Sequence, residues 1–118
     1  MIEPALFDVV ELLINLPEKN LVSGMQGTLL EDYGSGNFEV EFTDQNGETI
    51  VFCALHKSQF FVVWQSATTT WVKSTDQLIS IVTNLSENNQ QTIIDFARFL
   101  YQKNLIQTSL ISSSMNNL

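Results

Sequence analysis

The amino-acid sequence predicts an α+β protein in which a small five-stranded antiparallel β-barrel, residues 1–64, precedes a two-helix hairpin, residues 74–106. Three observations support this fold class. From residue 24 to residue 64, short apolar segments alternate with glycine-containing turns, and the segment FEVEFT at 38–43 has the period-two pattern of a half-buried strand. The pair Asn46-Gly47 between two such segments is typical of a tight hairpin. After residue 74, apolar residues recur at helical spacing.

The first strand is predicted over Phe7–Leu16, a strongly apolar stretch that ends before Pro17. A helix is the alternative, since a helix of this length would also end at the residue before the proline. The β-branched residues of the stretch and the turn-forming residues that follow it favour the strand. Pro17–Gly24 is then a loop.

The other four strands are predicted over Gln26–Tyr33, Phe38–Thr43, Thr49–Leu55 and Phe60–Trp64. Strands three and four should pair antiparallel across the Asn46-Gly47 hairpin. Strands four and five are apolar on both faces, whereas a barrel buries only one face of each strand. We therefore expect the outer apolar row of strand four to be covered by helices or by another polypeptide; this row is Ile50, Phe52 and Ala54.

A polar linker, residues 65–73, leads to the predicted hairpin. Ser74 and Gln77 fit a capping box at the start of the first helix, and Ser86 caps the second. Apolar residues cover more than half the circumference of the second helix, so we expect it to pack on two sides. One side would contact its partner helix and the other the barrel or a second protein. Residues 107–118 are rich in serine and asparagine and are predicted to form a disordered tail.

The composition is that of one ordinary domain with a core of its own, since the chain has 118 residues of which 44% are hydrophobic. A single cysteine, Cys53, excludes an internal disulfide, and the first residues lack the pattern of a secretion signal. No apolar run reaches the roughly 18 residues that a membrane-spanning helix needs. We expect a cytoplasmic protein without membrane insertion.

The negative charge is concentrated in one half of the chain. The formal net charge is −8, and residues 1–64 carry all of it, because the acids and bases of residues 65–118 cancel. Such a surface repels phosphate backbones and anionic lipids, so nucleic acid is not an expected ligand and an RNA-binding barrel is disfavoured. Two interpretations remain: the charge keeps the protein soluble, or it matches a basic partner protein.

Few residues could carry chemistry. His56 and Cys53, the only histidine and the only cysteine, should point to opposite faces of a strand, which is poor geometry for a nucleophilic pair. A metal site would need more such ligands. Glu39 and Glu41 share a strand face roughly 7 Å apart, but nothing in the pattern would separate their pKa values for acid–base catalysis. We predict no catalytic residue, no metal, no cofactor and no enzymatic activity.

A series of turn and core motifs runs through residues 6–64: FDVVEL at 7–12, LPE at 16–18, Gly24, GT at 27–28, VEF at 40–42, Asp44, Gly47 and Leu55. Together they resemble a family of small, uncharacterised bacterial proteins with an SH3-like barrel. In that family a strand ending in Leu-Pro leads to a Gly-x-x-Gly-Thr turn and then to a Val-Glu-Phe strand. The resemblance implies an SH3-like barrel and supplies no catalytic residue. Members are often encoded beside toxin-like proteins.

In residues 75–103, a short helix, a Leu-Ser break and a second helix with Asp95, Phe96, Phe99 and Leu100 form another pattern. It resembles the helical hairpin of small antitoxin-like proteins. The DNA-binding arm that many antitoxins carry has no counterpart in this sequence, so the resemblance does not extend to operator binding.

These observations predict a non-catalytic protein-binding module, an antitoxin or inhibitory subunit that neutralises a basic partner protein by occlusion. The predicted partner-binding residues are four acids of the barrel and three apolar anchors of the hairpin: Glu31, Asp32, Glu39, Glu41, Phe96, Phe99 and Leu100. The alternative is a structural or adaptor subunit. In that case the hairpin would form a homodimer or dock onto a larger assembly.

Overall fold

The computed structural model describes the backbone of residues 2–116 and the side chains of residues 2–105. The chain forms two compact units, Met1–Asn84 and Leu85–Leu118. The first unit holds six strands and a helix: β1 (Val9–Leu12), β2 (Gln26–Gly34), β3 (Asn37–Thr43), β4 (Thr49–His56), β5 (Phe60–Gln65), β6 (Thr70–Trp71) and α1 (Ser74–Val82). The second unit holds α2 (Glu87–Asn116).

The predicted α+β class is confirmed, but the sheet differs from the predicted five-stranded barrel. All strand pairs are antiparallel, and the six strands follow the order β4-β3-β2-β1-β5-β6. The sixth strand lies in the predicted linker, where Trp71 pairs with Trp64 across a short turn. The strand order has two ends, β4 and β6, so the pairing is that of a sheet and not specifically of a closed barrel.

The stretch that could have been a helix forms β1, in the middle of the sheet between β2 and β5. The strand is shorter than predicted and keeps only Val9–Leu12. Val10 and Leu12 point into the core and are almost fully buried, as the alternation of a strand requires. The core continues on the same side of the neighbouring strands with Leu29, Val40, Phe42, Cys53, Leu55, Phe60 and Val62.

Two hairpins are present, the predicted one between β3 and β4 and another between β2 and β3, and their turns differ. Between β2 and β3, Ser35 and Gly36 both have positive φ, 56° and 82°, as a two-residue primed turn needs. Between β3 and β4, Gly47 has a φ of 80° while Asn46 is not among the residues with positive φ. A five-residue loop replaces the expected two-residue turn there, because the Asp44 carboxylate accepts hydrogen bonds from the backbone N–H groups of Asn46 and Glu48.

Within the described residues of the first unit no helix covers the outer row of β4, so of the two expected covers the helix α1 does not serve this strand, and cover by another polypeptide stays a prediction. Ile50 is 43% exposed and Phe52 is 52% exposed, and Ala54 is exposed as well. The corresponding side of β5 is covered, since Phe61 and Val63 are buried and α1 packs against β5. The first unit therefore covers the outer side of one apolar strand and leaves the other open.

The two helices begin differently. At α1 the predicted capping box is wrong: Lys73 is the N-cap, without a side-chain hydrogen bond, and the Gln77 amide donates to the Val72 carbonyl at 3.0 Å. At α2 the prediction is confirmed, since the Ser86 hydroxyl accepts from the Asn89 N–H at 3.2 Å.

The predicted disordered tail, residues 107–118, lies outside the residues whose side chains are described, and its last two residues lie outside the described backbone. That expectation stays a prediction. In the described part of the chain, no helix has the combination of length and apolar content that crossing a membrane requires.

Candidate functional site

Three of the four predicted acids come together on the side of the sheet that faces away from the core. Glu39 and Glu41 alternate with the buried residues of β3, so both carboxylates lie on the outer side. Glu31 of β2 pairs with Glu39 across the β2–β3 ladder and shares that side. On the other flank, Ala54 pairs with Glu39 and Phe52 pairs with Glu41. We call this set of five residues the outer face.

Asp32 does not join the outer face. The β2–β3 register shifts between Leu29 and Glu31, which inserts an extra residue and brings Glu31 to the side of Glu39. Asp32 then lies opposite Phe38, whose side chain points into the core. Its carboxylate accepts a hydrogen bond from the Gly34 N–H at 2.8 Å, so Asp32 stabilises the hairpin turn.

Hydrogen bonds hold two of the carboxylates in defined orientations. The Tyr33 hydroxyl donates to Glu39 Oε2 at 2.5 Å, and the Thr49 hydroxyl donates to Glu41 Oε2 at 2.7 Å. The bond to Glu39 raises the pKa of Tyr33 to about 12, with smaller contributions from desolvation and from the charges of Glu39 and Glu31. The phenol therefore stays protonated and remains a donor to the Glu39 carboxylate.

The apolar part of the outer face lies on the edge of the sheet. Phe52 and Ile50 are large, exposed apolar side chains of β4, and Phe52 lies directly opposite Glu41. An exposed aromatic side chain beside charged residues is a common feature of interfaces, because the ring supplies area that can be buried and the charges orient a partner. The outer face thus places exposed apolar area next to negative charge.

A small pocket of roughly 90 Å³ lies elsewhere in the first unit, and its lining includes His56, Ser58 and Ser80. His56 Nδ1 lies 2.8 Å from the Ser58 hydroxyl and also accepts the Ser58 backbone N–H at 3.2 Å. Both contacts belong to the cap of the 3₁₀ turn Lys57–Gln59, which Gln59 completes by accepting the His56 N–H. The serine–histidine contact is thus accounted for by a local turn.

Cys53 has the environment of a core residue. It is 3% exposed and pairs with Val40 on the core side, whereas His56 pairs with Asn37 on the opposite side of the strand. Burial raises the pKa of the thiol, which keeps it in the unreactive protonated form. Within residues 2–116, no group of three or more His, Cys, Asp or Glu residues is arranged to hold a metal ion.

The three predicted apolar anchors lie on α2, in the second unit. Phe96 is 61% exposed and Phe99 is 58% exposed, and their rings stack with centroids 6.2 Å apart. Leu100 is exposed beside them. Arg98 bonds to Asp95 at 3.2 Å on the same helix, so one cation of the unit is paired with a neighbouring acid.

One buried acid was missed by the sequence analysis. Asp8 is 2% exposed and accepts hydrogen bonds from the Ala5 N–H at 2.9 Å and the Ser66 N–H at 2.8 Å. The Ser66 hydroxyl lies 3.1 Å from the same carboxylate. Asp8 fastens the residues before β1 to the turn after β5, which makes it a structural residue of the first unit. In the sequence, the only indication that Asp8 is buried is its position directly before a strongly apolar strand.

Comparison with known families gives one result for this chain. Residues 6–62 match the family model of a domain of unknown function, DUF4926. The match is just under half of the 118 residues. The DUF4926 segment contains β1 to β4 and the outer face, and it ends within β5, before α1 and α2. It agrees with the expected uncharacterised family in this region, while the bacterial origin and the antitoxin-like tail stay predictions. No curated protein and no solved structure matches the chain.

Proposed function

We propose that this protein is a non-catalytic binding module that recognises a basic partner protein through the outer face. The observation that supports this function is that Glu31, Glu39 and Glu41 share one side of the sheet with the exposed ring of Phe52, which pairs with Glu41. The carboxylates would attract and orient lysine or arginine side chains, and the ring would supply the area that is buried on contact.

The mode of action that we propose is occlusion, as an inhibitory subunit of the antitoxin kind. A module with net charge −8 that covers a cationic surface excludes anionic substrates from that surface without any chemistry of its own. The stacked rings of Phe96 and Phe99 would provide a second, apolar contact to the same partner.

The test compares three versions of the tagged protein in its native cells. One version carries Glu31→Gln, Glu39→Gln and Glu41→Gln. The matched control carries three neutralised acids at exposed positions off the outer face: Glu3→Gln, Glu18→Gln and Glu48→Gln. Each variant loses three negative charges, so only the position of the change differs.

We expect the wild type and the control to capture the same basic protein, and the outer-face variant to lose it, with capture weakening as salt rises. Added wild-type protein should also suppress the activity of the captured partner. Equal capture by both variants would contradict the proposed site. A partner whose activity is unaffected in the complex would contradict occlusion.

The second candidate function is an adaptor that dimerises or docks through α2, and the exposed stacked pair Phe96–Phe99 favours it. Phe99→Asp would then convert a dimer to a monomer in sedimentation experiments, while Gln102→Asp at another exposed position of α2 would leave the dimer intact. A monomeric wild type would exclude dimerisation.

A further inference from the structure

The edge strand β4 lacks most of the features by which proteins protect such edges. It stands at one end of the strand order, and over the described residues its only ladder is with β3. Its sequence, TIVFCALH, contains no proline, lysine, arginine or acid. Edge strands usually carry charges, prolines or bulges that prevent another strand from adding to them.

The ladder identifies the backbone groups at this open edge. The Lys57 N–H donates to the Gly36 carbonyl at 2.8 Å, and bonds in an antiparallel ladder alternate along the strand. Phe52 and Ala54 therefore direct their backbone N–H and C=O groups away from β3. The Ala54 carbonyl has one weak contact, with the Cys53 thiol at 3.7 Å, and keeps a second lone pair.

A hydrogen bond limits this open stretch at one end and a bulge limits it at the other. The His56 N–H is bonded to the Gln59 side chain at 2.9 Å. At the other end, Thr43 pairs with Thr49 and Phe42 with Val51, so Ile50 is the extra residue of a bulge. The accessible edge is thus short, and it is centred on the two residues that also belong to the outer face.

The charges beside this edge fit a basic occupant. An added strand would lie about 4.8 Å from β4 and about 10 Å from β3. From there a lysine or arginine could extend over the small side chain of Ala54 to Glu39, or over the ring of Phe52 to Glu41. A second copy of this chain would present another uncharged β4 and eight further negative charges, which fits the carboxylates poorly.

We propose that β4 receives an extended segment of the partner as an added strand, bonded to the backbone of Phe52 and Ala54. The segment alternates basic residues, which face Glu39 and Glu41, with apolar residues that continue the core side of the sheet. This inference rests on the proposed function and specifies how the basic partner binds. Strand addition supplies affinity through the backbone, and the carboxylates supply selectivity for basic side chains.

The test uses a capped seven-residue peptide of alternating lysine and valine as the probe, with the isotope-labelled full-length protein observed by NMR. Two derivatives carry N-methyl groups on backbone nitrogens. In one derivative the valine backbone nitrogens are methylated, and in the other the lysine backbone nitrogens are methylated. Methylation removes backbone donors on one edge of the peptide and keeps every charge. The variant Ala54→Pro removes one outward N–H of β4, at an edge position that proline tolerates.

We expect the unmodified peptide to shift the amide signals of Phe52 and Ala54 and to slow their hydrogen exchange at least tenfold. One methylated peptide should bind at least tenfold more weakly, the other within about twofold of the parent. Ala54→Pro should also weaken binding in a protein whose other signals are unchanged. A peptide with glutamate in place of lysine should not bind.

Three results would overturn the inference. Equal binding of all three basic peptides, lost when Glu31, Glu39 and Glu41 are changed to glutamine, would mean that the partner lies on the outer face without adding a strand. The proposed function would then survive. Absence of binding by the unmodified peptide would exclude strand addition. The proposed function would then still be tested separately by the capture experiment. If the protein without peptide were a dimer in which the Phe52 and Ala54 amides are protected from hydrogen exchange, the edge of β4 would instead bind a second copy of this chain.

Discussion

The geometry of the outer face can be tested through the titration of Tyr33. Its hydroxyl lies 2.5 Å from Glu39 Oε2, and this bond is the largest of the effects that raise the pKa from 10.0 to about 12. Glu39→Ala removes both the acceptor and the charge, so we expect the pKa to return close to 10.0. Glu39→Gln keeps an acceptor without a charge and should give an intermediate value. Glu31→Gln should have a small effect, since the Glu31 charge is the weakest contribution.

The assay is the ultraviolet absorbance of tyrosinate in a Tyr101→Phe background, where Tyr33 is the only tyrosine. Circular dichroism at each pH checks that the fold persists. Because the folded pKa lies above the unfolded value, the stabilisation by this pair is complete below about pH 10 and is lost as the pH rises towards 12. A Tyr33 titration midpoint near pH 10 in the wild type would refute the described arrangement of the outer face. Equal Tyr33 midpoints for the wild type and Glu39→Ala would refute it as well.

Three further changes test the rest of the first unit. Asp8→Ala removes the acceptor of two backbone N–H groups, so the free energy of unfolding in urea should fall by about 3 kcal/mol; Glu3→Gln at the surface should change it by less than about 0.5 kcal/mol. Similar values for both would contradict the role of Asp8. Gly27→Ala would bring a Cβ to 2.7 Å from Val40 Cγ1 and 2.9 Å from a β3 carbonyl oxygen, so stability should fall by about 1–3 kcal/mol; an unchanged melting temperature would argue against this close approach. Cys53 is buried and its thiol pKa is raised, so a maleimide should label the folded protein only at the rate of unfolding; rapid labelling under native conditions would be inconsistent with that burial.

The period-two pattern of β3 was enough to predict that Glu39 and Glu41 share one exposed side. The position of Asp32 could not be predicted, because the bulge before Glu31 exchanges the two sides of β2 and no residue type marks it. The two-residue strand β6 was missed for a similar reason. Its formation depends on pairing with β5, and the polar, threonine-rich segment around it is typical of a linker.

Sequence patterns also could not determine what covers an apolar surface. β4 and β5 are equally apolar on both sides, yet α1 lies on β5 and leaves Phe52 of β4 exposed. Similarly, the burial of Asp8 depends on Ser66, which is 58 residues away in the chain. Such contacts are tertiary, and local periodicity contains no information about them.

The central position of β1 has a consequence for folding kinetics. β2, β3 and β4 are joined by short turns, so they can pair through local contacts. The pairing of Leu12 with Phe60 must instead close a loop that contains all three of these strands. We expect the three-stranded meander to form early and the β1–β5 ladder to form near the rate-limiting step. Until that step, the partly folded chain exposes Phe60 and Val62 along with the open edge of the meander, and such surfaces make it prone to aggregation in this interval.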